Sequence, residues 1–310
     1  MTTTHSAQTP GEDRAVAVIG LGAMGGAMAA SLHGTGWTVR GFDPSPDARR
    51  AVEENGIETV TELSAVAGTP YVLLSLPSAR IVEQTVPTLL EAGGTTAIVD
   101  TSTSEPATSR TLAAQAAERG IAFVDAPVSG GRAGAAAGSL TAFVGGTGAA
   151  VEAATPLLQA LTGGASEHIG DPGSGNVVKL LNNALAAAHL VAAGEALEVA
   201  VAHGVDPAIA AASISRASGA SWALSAMYPD WVLSGTYDSG FALGLMARDA
   251  ALACDIASSA ERGPALFEHA SDQWQEALER LGPSADFTEI ARVVAPSLTD
   301  PAPRDTETDL

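Results

Sequence analysis

The chain of 310 residues contains a single lysine, Lys179, among 15 basic residues. All the other basic residues are arginines, which supply positive charge as well as lysine does but cannot release a proton near neutral pH. A lone lysine in such a chain indicates a position where the proton itself is needed, with chance survival as the alternative. Lys179 is therefore the first candidate for a group that performs acid–base chemistry.

Asn183 follows Lys179 by four residues, so the two side chains share one face of a predicted helix. Lys179 lies close to the N-terminus of that helix, where the helix dipole disfavours a positive charge, and burial would act in the same direction. Both effects favour the neutral amine, which can accept a proton. Asn183 would then orient the lysine or a substrate hydroxyl. The alternative is a surface lysine with a polar neighbour.

A glycine pattern, G-x-G-x-x-G, lies directly after an apolar run and opens a helical stretch. Its members are Gly20, Leu21, Gly22, Ala23, Met24 and Gly25. Gly20 permits a tight turn, Gly22 lets a pyrophosphate approach the backbone, and Gly25 lets helix and strand pack closely. Asp43 ends the next strand, where an acid can bond the adenosine ribose hydroxyls and disfavour a 2′-phosphate. The pattern predicts a dinucleotide site that prefers NAD over NADP.

Ser129, Gly130 and Gly131 form a turn after another predicted strand. Consecutive glycines let backbone N–H groups converge on an anion without interference from side chains, and the Ser129 hydroxyl can add a bond. The turn is thus a candidate site for a substrate carboxylate, with a flexible connection as the alternative.

Several other residues are weaker candidates. Ser102 follows a strand end and is expected near the nicotinamide, with a helix N-cap as the alternative. Arg248 and Asp249 lie in a helical run and would present charge to substrate, and Arg248 also to cofactor, unless they form a structural ion pair. Trp222 and Tyr228 are candidates for lining the substrate pocket, although core packing is the commoner fate of such residues.

Short β-rich runs alternate with helical stretches in the first half of the chain, which predicts βαβ units and a mostly parallel sheet. The expected strands are residues 15–20, 38–43, 71–76, 95–100, 121–128 and 139–145. Leu76 and Pro77, at the end of the third run, are expected beside the cofactor. The second half lacks strand signals, and its expected helices are residues 174–202, 207–218, 241–259, 264–281 and 287–294.

The predicted architecture is therefore α/β, with an N-terminal Rossmann-type doubly wound domain followed by an all-α domain. A long interdomain helix of nearly 30 residues joins them. The expected domains are residues 14–172 and 173–296, with a disordered lead-in over 1–13 and a disordered tail over 297–310.

The formal net charge of −20 predicts a surface that repels nucleic acid and anionic membranes, so neither is expected as a partner. No apolar run reaches the roughly 18 residues that suggest a membrane span, and the N-terminal segment lacks the features of a signal peptide. The single cysteine, Cys254, rules out an intrachain disulfide. These features predict a cytoplasmic protein.

Three motifs together resemble those of the β-hydroxyacid dehydrogenase family, which includes 3-hydroxyisobutyrate dehydrogenase, over about residues 15–294. They are the glycine loop at 20–25, the segment from Asp125 to Gly131 with Gly134, Ala135 and Gly138, and Gly173-Ser174-Gly175 followed by Lys179 to Asn183. The resemblance implies that Lys179 is the general acid–base and that Asn183 binds substrate. It also implies that Ser129, Gly130 and Gly131 hold the substrate carboxylate, and that the protein is a homodimer or homotetramer with its active site between the two domains.

The chain departs from the family where the usual Lys-Asp pair is replaced by Arg248-Asp249. The segment 218–222, with Tyr228, resembles members that accept serine-like 3-hydroxy acids. The expected function is NAD-dependent oxidation of a small 3-hydroxy carboxylate, such as 3-hydroxyisobutyrate, 3-hydroxypropionate or a serine-like acid, to the semialdehyde.

Four alternatives remain open at this point. One is an NADPH-dependent reductase of glyoxylate, succinic or tartronate semialdehyde. A second is an imine reductase, although such relatives usually lack the lysine. A third is 6-phosphogluconate dehydrogenase, for which the chain is short and Asn182 stands in place of a histidine. The fourth is a non-catalytic protein that senses NAD.

Overall fold

A computed structural model describes residues 14–261 and 263–299 of the chain. The chain divides into two compact units, and the division falls between Lys179 and Leu180. It therefore lies inside the long helix, whereas the sequence places a domain boundary at the start of that helix. The expectations for residues 1–13 and 300–310 lie outside the described residues.

One nine-stranded sheet is present in the described part of the first unit. Its strands are β1 (Ala15–Ile19), β2 (Thr38–Phe42), β3 (Glu58–Val60), β4 (Tyr71–Leu74), β5 (Ala97–Asp100), β6 (Ala122–Asp125), β7 (Val128–Ser129), β8 (Thr141–Gly145) and β9 (Ser166–Gly170). Their order is β3-β2-β1-β4-β5-β6-β8-β7, with β9 paired to β8. The strands from β3 to β6 in this order are parallel, whereas β8 is antiparallel to β6 and β7.

Helices cover both faces of this sheet. They are α1 (Ala23–Gly34), α2 (Pro46–Glu53), α3 (Ala79–Ala92), α4 (Pro106–Ala117), α5 (Gly131–Ala137) and α6 (Gly148–Thr162), with a 3₁₀ turn at Leu63–Val66. Alternate residues of β1 enter different cores: Val16 and Val18 pack into one, and Ala17 and Ile19 into the other. A strand buried on both faces must be apolar at every position, which explains the continuous apolar run that the sequence shows there.

The second unit is helical throughout its described residues. The long helix α7 (Ser174–Ala202) leads into it and is followed by α8 (Pro207–Ile214), a π-helical segment (Ala223–Val232), α9 (Leu243–Ser259), α10 (Ala265–Leu281), a 3₁₀ turn (Phe287–Ile290), α11 (Ala291–Val294) and α12 (Pro296–Thr299). Trp274 and Tyr228 are the largest side chains of its core and are fully buried. The Trp274 indole N–H donates to the Ala187 carbonyl of α7 at 3.3 Å.

The predicted strands and the long helix α7 are confirmed, except that the strand expected over 121–128 is interrupted at Ala126 and Pro127 and forms β6 and β7. The elements β3, β9, α5 and the π-helical segment were not predicted from the sequence. The strand β9 is polar and partly exposed, so it shows no apolar alternation, and β3 is only three residues long. The π-helical segment contains Pro229, which reads as a break in the sequence. The helix expected over 207–218 ends at Ile214, and the one expected over 287–294 begins as a 3₁₀ turn.

Ordered structure also extends into the predicted tail. Ser297 lies in α12, and both its backbone N–H and its hydroxyl donate to the carboxylate of Glu198 on α7, at 3.1 and 2.6 Å. These bonds fix residues that sequence composition alone assigns to a disordered tail.

Within the described residues, α7 is the one helix that is long and apolar enough to cross a bilayer by length and composition. Leu190 and Leu197 of α7 are fully buried in the core of the second unit. The apolar composition of this part of the helix is therefore explained by packing.

Candidate active site

The glycine loop between β1 and α1 needs glycine at two positions for steric reasons. Gly20 has a φ of +90°, and a Cβ there would lie 2.2 Å from the carbonyl oxygen of Ser75. A Cβ on Gly25 would lie 1.8 Å from the carbonyl oxygen of Gly20. At Gly22, by contrast, a Cβ would meet no described atom within 4 Å. The loop is thus tightly packed on its protein side and open at Gly22, as binding of a pyrophosphate requires.

The first turn of α1 is suited to an anion. Its N-cap residue is Gly22, which has no side chain to cap the helix, and the turn contains no acidic residue. The backbone N–H groups of a helix N-terminus carry a partial positive charge and bind phosphate oxygens. Ala23 and Met24, the first residues of α1, supply part of this turn. The residues present therefore fit a dinucleotide.

Asp43 lies directly after β2 and contacts the glycine loop. One carboxylate oxygen accepts the Leu21 backbone N–H and the other accepts the Ser45 N–H, each at 2.8 Å. The guanidinium of Arg49 donates to the carbonyl oxygens of Asp43 and Pro44 at 2.6 and 3.2 Å. This fixed acidic group stands where the ribose of a bound dinucleotide is expected, as the spacing predicts.

Ser102 links the ends of two neighbouring strands. Its hydroxyl accepts the Leu76 N–H at 2.9 Å, just beyond β4, and its own N–H donates to Asp100 at the end of β5, also at 2.9 Å. The alternative role as a helix N-cap is wrong, because α4 begins at Pro106 and its N-cap is Glu105. The structure thus brings Leu76 and Ser102 together at the carboxyl edge of the sheet, and Pro77 follows Leu76 in the chain.

The turn at Ser129 leaves β7 and enters α5. Gly130 and Gly131 have φ values of +121° and +60°, which favour glycine, and both are exposed. A Cβ on Gly131 would meet nothing within 4 Å among the described residues. Two exposed glycines therefore follow Ser129 directly in the chain, which is compatible with a carboxylate site.

Two buried carboxyl groups lie at adjacent strand ends, and the sequence analysis assigned neither of them a role in the site. Asp100 and Asp125 are partners in the register of β5 and β6, and both are fully buried. Burial raises the pKa of Asp100 to about 7, against the lowering effect of its bonds with Ser102. Burial also raises the pKa of Asp125, against the backbone N–H groups that it accepts. Both aspartates end apolar strands, and Asp125 also begins the family-like segment that leads to Gly131, so these are the sequence signals that point to them.

Lys179 is in the second turn of α7, with 9% of its surface exposed. The alternative of a surface lysine is therefore wrong. Burial of an amine disfavours its charged form, because the low-polarity surroundings solvate an ammonium poorly. A buried amine in this helix is a candidate for proton transfer.

Asn183, four residues further along α7, is held by a carboxylate of the second unit. Its side-chain amide donates to Asp249 at 2.7 Å, and its oxygen accepts the Asn182 amide at 3.1 Å. The other oxygen of Asp249 accepts the Arg248 guanidinium at 2.7 Å. Arg248 and Asp249 thus form the structural ion pair considered above, and this pair also fixes the Asn183 amide.

The two aromatic candidates have different surroundings. Tyr228 is fully buried in the core of the second unit, and its hydroxyl donates to the Leu190 carbonyl at 3.0 Å. The pocket assignment of Tyr228 is therefore corrected to core packing, since a buried tyrosine hydroxyl needs such a partner. Trp222 is 60% exposed and packs edge-on against Trp231. Its assignment to the substrate pocket stays a prediction.

No group of three histidine, cysteine or acidic side chains that could hold a metal ion occurs in the described ranges. Cys254 is half-buried, and burial raises the pKa of its thiol.

The fold and the glycine loop together define the first unit as a dinucleotide-binding domain. Residues 15–170 match the model for the NAD-binding domain of 6-phosphogluconate dehydrogenase. Residues 173–294 match the model described as NAD-binding of NADP-dependent 3-hydroxyisobutyrate dehydrogenase. The two matches divide the chain close to the predicted domain boundary.

Curated relatives cover most of the chain. An NAD-dependent L-serine dehydrogenase of Pseudomonas aeruginosa is 34% identical over 91% of this chain and 98% of its own length. A 3-hydroxyisobutyrate dehydrogenase of the same organism is 35% identical over 81% of this chain and 88% of its own. A solved structure of Mycobacterium tuberculosis 3-hydroxyisobutyrate dehydrogenase with L-serine superposes with a TM-score of 0.84 at 30% identity, over 91% of this chain and 99% of its own.

The chain therefore belongs to the β-hydroxyacid dehydrogenase family. It is a 3-hydroxyacid dehydrogenase with an NAD-binding domain.

Proposed function

We propose that this enzyme oxidises a small 3-hydroxy carboxylate, of the size of serine or 3-hydroxyisobutyrate, to the semialdehyde, with Lys179 as the general acid–base. The observation that carries the proposal is the burial of the chain's only lysine in α7. A buried lysine can become neutral by releasing its proton, whereas a buried arginine stays charged, so a lysine at this position can serve in proton transfer.

Each residue of the site has one task in this reaction. NAD, which the glycine loop and Asp43 would hold, would supply the hydride acceptor for the carbon that carries the hydroxyl. The Lys179 amine takes the hydroxyl proton as the C=O bond forms, and in the reverse direction it returns that proton to the oxygen. Ser129 and the amides of Gly130 and Gly131 hold the substrate carboxylate. Asn183, fixed by Asp249, orients the hydroxyl.

The carboxylate site must overcome the charge of the whole protein. A net charge of −20 repels an anionic substrate at long range. The donors in the turn at residues 129–131 are uncharged. They can bind a carboxylate by direct hydrogen bonds, which act at short range despite the negative net charge. The size of the substrate is inferred from the relatives, which include enzymes named for serine and for 3-hydroxyisobutyrate.

The experiment is a screen for NADH formation by the purified enzyme with 3-hydroxyisobutyrate, 3-hydroxypropionate, serine, threonate and glycerate. We expect turnover with at least one of these acids and a higher kcat/KM with NAD than with NADP, because Asp43 stands where a 2′-phosphate would be. Absence of turnover with all five acids, or equal turnover by a Lys179→Met variant, would contradict the proposal.

We also propose a homodimer or homotetramer in the cytoplasm. The oligomer is supported by the family resemblance and by apolar side chains exposed along α7, namely Leu181, Leu185 and Val199. A single half-buried cysteine is consistent with a reducing compartment. Light scattering coupled to size exclusion measures the oligomer, and a mass of one chain, near 31 kDa, would contradict it.

A further inference from the structure

The first turn of α7 is capped by a carboxylate from the sheet. One oxygen of Asp125, at the end of β6, accepts the Gly173 N–H at 2.7 Å, and the other accepts the Asn176 N–H at 3.0 Å. Such N–H groups have no partner within the helix, and a negative charge there is favourable to the helix dipole. The start of the helix that carries Lys179 is thus bonded to a residue 48 positions earlier in the chain.

Close packing fixes this turn further. A Cβ on Gly175 would lie 2.2 Å from the Phe143 carbonyl oxygen and 2.8 Å from that of Asp125. A Cβ on Gly145 would lie 2.5 Å from one carboxylate oxygen of Asp125. The helix therefore starts against the ends of β6 and β8 with no room for even a methyl group, so it cannot slide without breaking these contacts.

Asn176 provides a second attachment of the same turn. Its side-chain oxygen accepts the Ser104 N–H at 2.9 Å, and its amide donates to the Ser109 hydroxyl at 3.0 Å. Asn176 is fully buried and precedes Lys179 by three residues, which places the two on neighbouring positions of the helix surface.

Asp125 also begins the segment that leads to the proposed carboxylate site. Ser129 follows it by four positions, and β6 and β7 flank the short connection between them at Ala126 and Pro127. One buried carboxylate therefore holds the base of the loop that binds the substrate carboxylate and the base of the helix that carries the proton-transfer group. All these residues belong to the first unit.

We propose that Asp125 is a positioning residue, which holds Lys179 at a fixed place relative to the turn at Ser129–Gly131. This inference rests on the function proposed above. The carboxylate does not touch substrate; it acts through the first turn of α7. A displacement of about 1 Å in an active site can cost about 100-fold in rate, so small movements of this turn are expected to affect turnover.

The test is the Asp125→Asn variant, which keeps the shape of the side chain but presents an amide N–H₂ to one of the two N–H donors. We expect kcat to fall about 10- to 100-fold, with the KM for NAD changed less than about twofold, because Gly20, Gly22 and Asp43 follow the strands β1 and β2 and not β6. The matched control is Val86→Ala, which destabilises the same unit from a buried position on α3. All variants are assayed well below their unfolding temperatures.

The outcomes separate this inference from the proposed function. If Lys179→Met keeps wild-type turnover, the proposed function fails whatever Asp125 does. If Lys179→Met is inactive but Asp125→Asn matches Val86→Ala in kcat, the positioning role is overturned and the function stands. Should Asp125→Asn not fold, Asn176→Ala replaces it, since it removes only the second attachment. A kcat for Asn176→Ala equal to that of the control overturns the inference, and a selective loss of kcat supports it.

Discussion

Replacement of Asp100 by asparagine is expected to stabilise the protein at neutral and alkaline pH. The Asp100 carboxyl is fully buried, one oxygen accepts the Ser102 N–H at 2.9 Å, and no described residue bonds the other oxygen. Burial, with a smaller contribution from the neighbouring charge of Asp125, raises the pKa of Asp100 from 3.8 to about 7. Asparagine keeps the oxygen that Ser102 needs and never carries the charge.

Proton linkage gives the direction in which the stability contributed by Asp100 changes with pH. Between pH 4 and 7 the native protein binds a proton on Asp100 that the unfolded chain has released, so the stability that this group contributes is present below about pH 4 and is lost as pH rises to 7. This rise in the pKa of Asp100 corresponds to a change of roughly 4 kcal/mol at most in the free energy of unfolding. The free energy of unfolding of Asp100→Asn, relative to that of wild type, should therefore increase with pH by a few kcal/mol and level off above pH 7.

Urea unfolding of both proteins at pH 4, 5, 6, 7 and 8 measures this difference directly. Asp47→Asn, which removes an exposed carboxylate on α2, controls for the change in net charge. A difference between Asp100→Asn and wild type that is the same at pH 5 and pH 8 would refute the reasoning, because Asp100 would then be ionised at no cost in the folded protein.

Three further substitutions test the site. Gly25→Ala should cost about 1–3 kcal/mol of stability and weaken NAD binding, because the new Cβ would overlap the Gly20 carbonyl. Wild-type results in both urea unfolding and NAD titration would count against this. Asp43→Ala should weaken NAD binding by roughly 1.5–3 kcal/mol, because hydrogen bonds to a charged group are lost, and should affect NADP binding less. An equal loss of affinity for both cofactors in calorimetry would argue otherwise. Asp249→Leu removes the acceptor of the Asn183 amide, which should cost about 1–3 kcal/mol of stability and lower kcat. Wild-type kinetics would show that Asn183 does not need this hydrogen bond.

The sequence predicts those parts of the fold where one physical signal dominates. The strands β1, β4 and β5 are buried on both faces, so apolar runs reveal them, and the glycine loop is recognisable because Gly20 and Gly25 have no room for a side chain. The edge strand β9 has no such signal, because pairing along one edge requires backbone groups and not apolar side chains.

Some residues of the candidate site can likewise be placed from the sequence, and others cannot. The place of Asp43 follows from its spacing after the glycine loop, because both lie at the ends of adjacent parallel strands. The bond between Asn183 and Asp249 joins residues 66 positions apart, and nothing local to either predicts it. The cap that Asp125 forms on α7 is likewise a tertiary contact, so the sequence can indicate a buried aspartate but not the N–H groups that it accepts.

In the proposed reaction, the Lys179 amine takes up a proton and gives it back during turnover. Lys179→Arg tests it most directly, because arginine keeps the positive charge but does not release a proton near neutral pH. We expect kcat for the best hydroxy acid to fall about 10²- to 10⁴-fold while the Kd for NAD, measured by calorimetry, stays unchanged. Turnover of Lys179→Arg at the wild-type rate would contradict it.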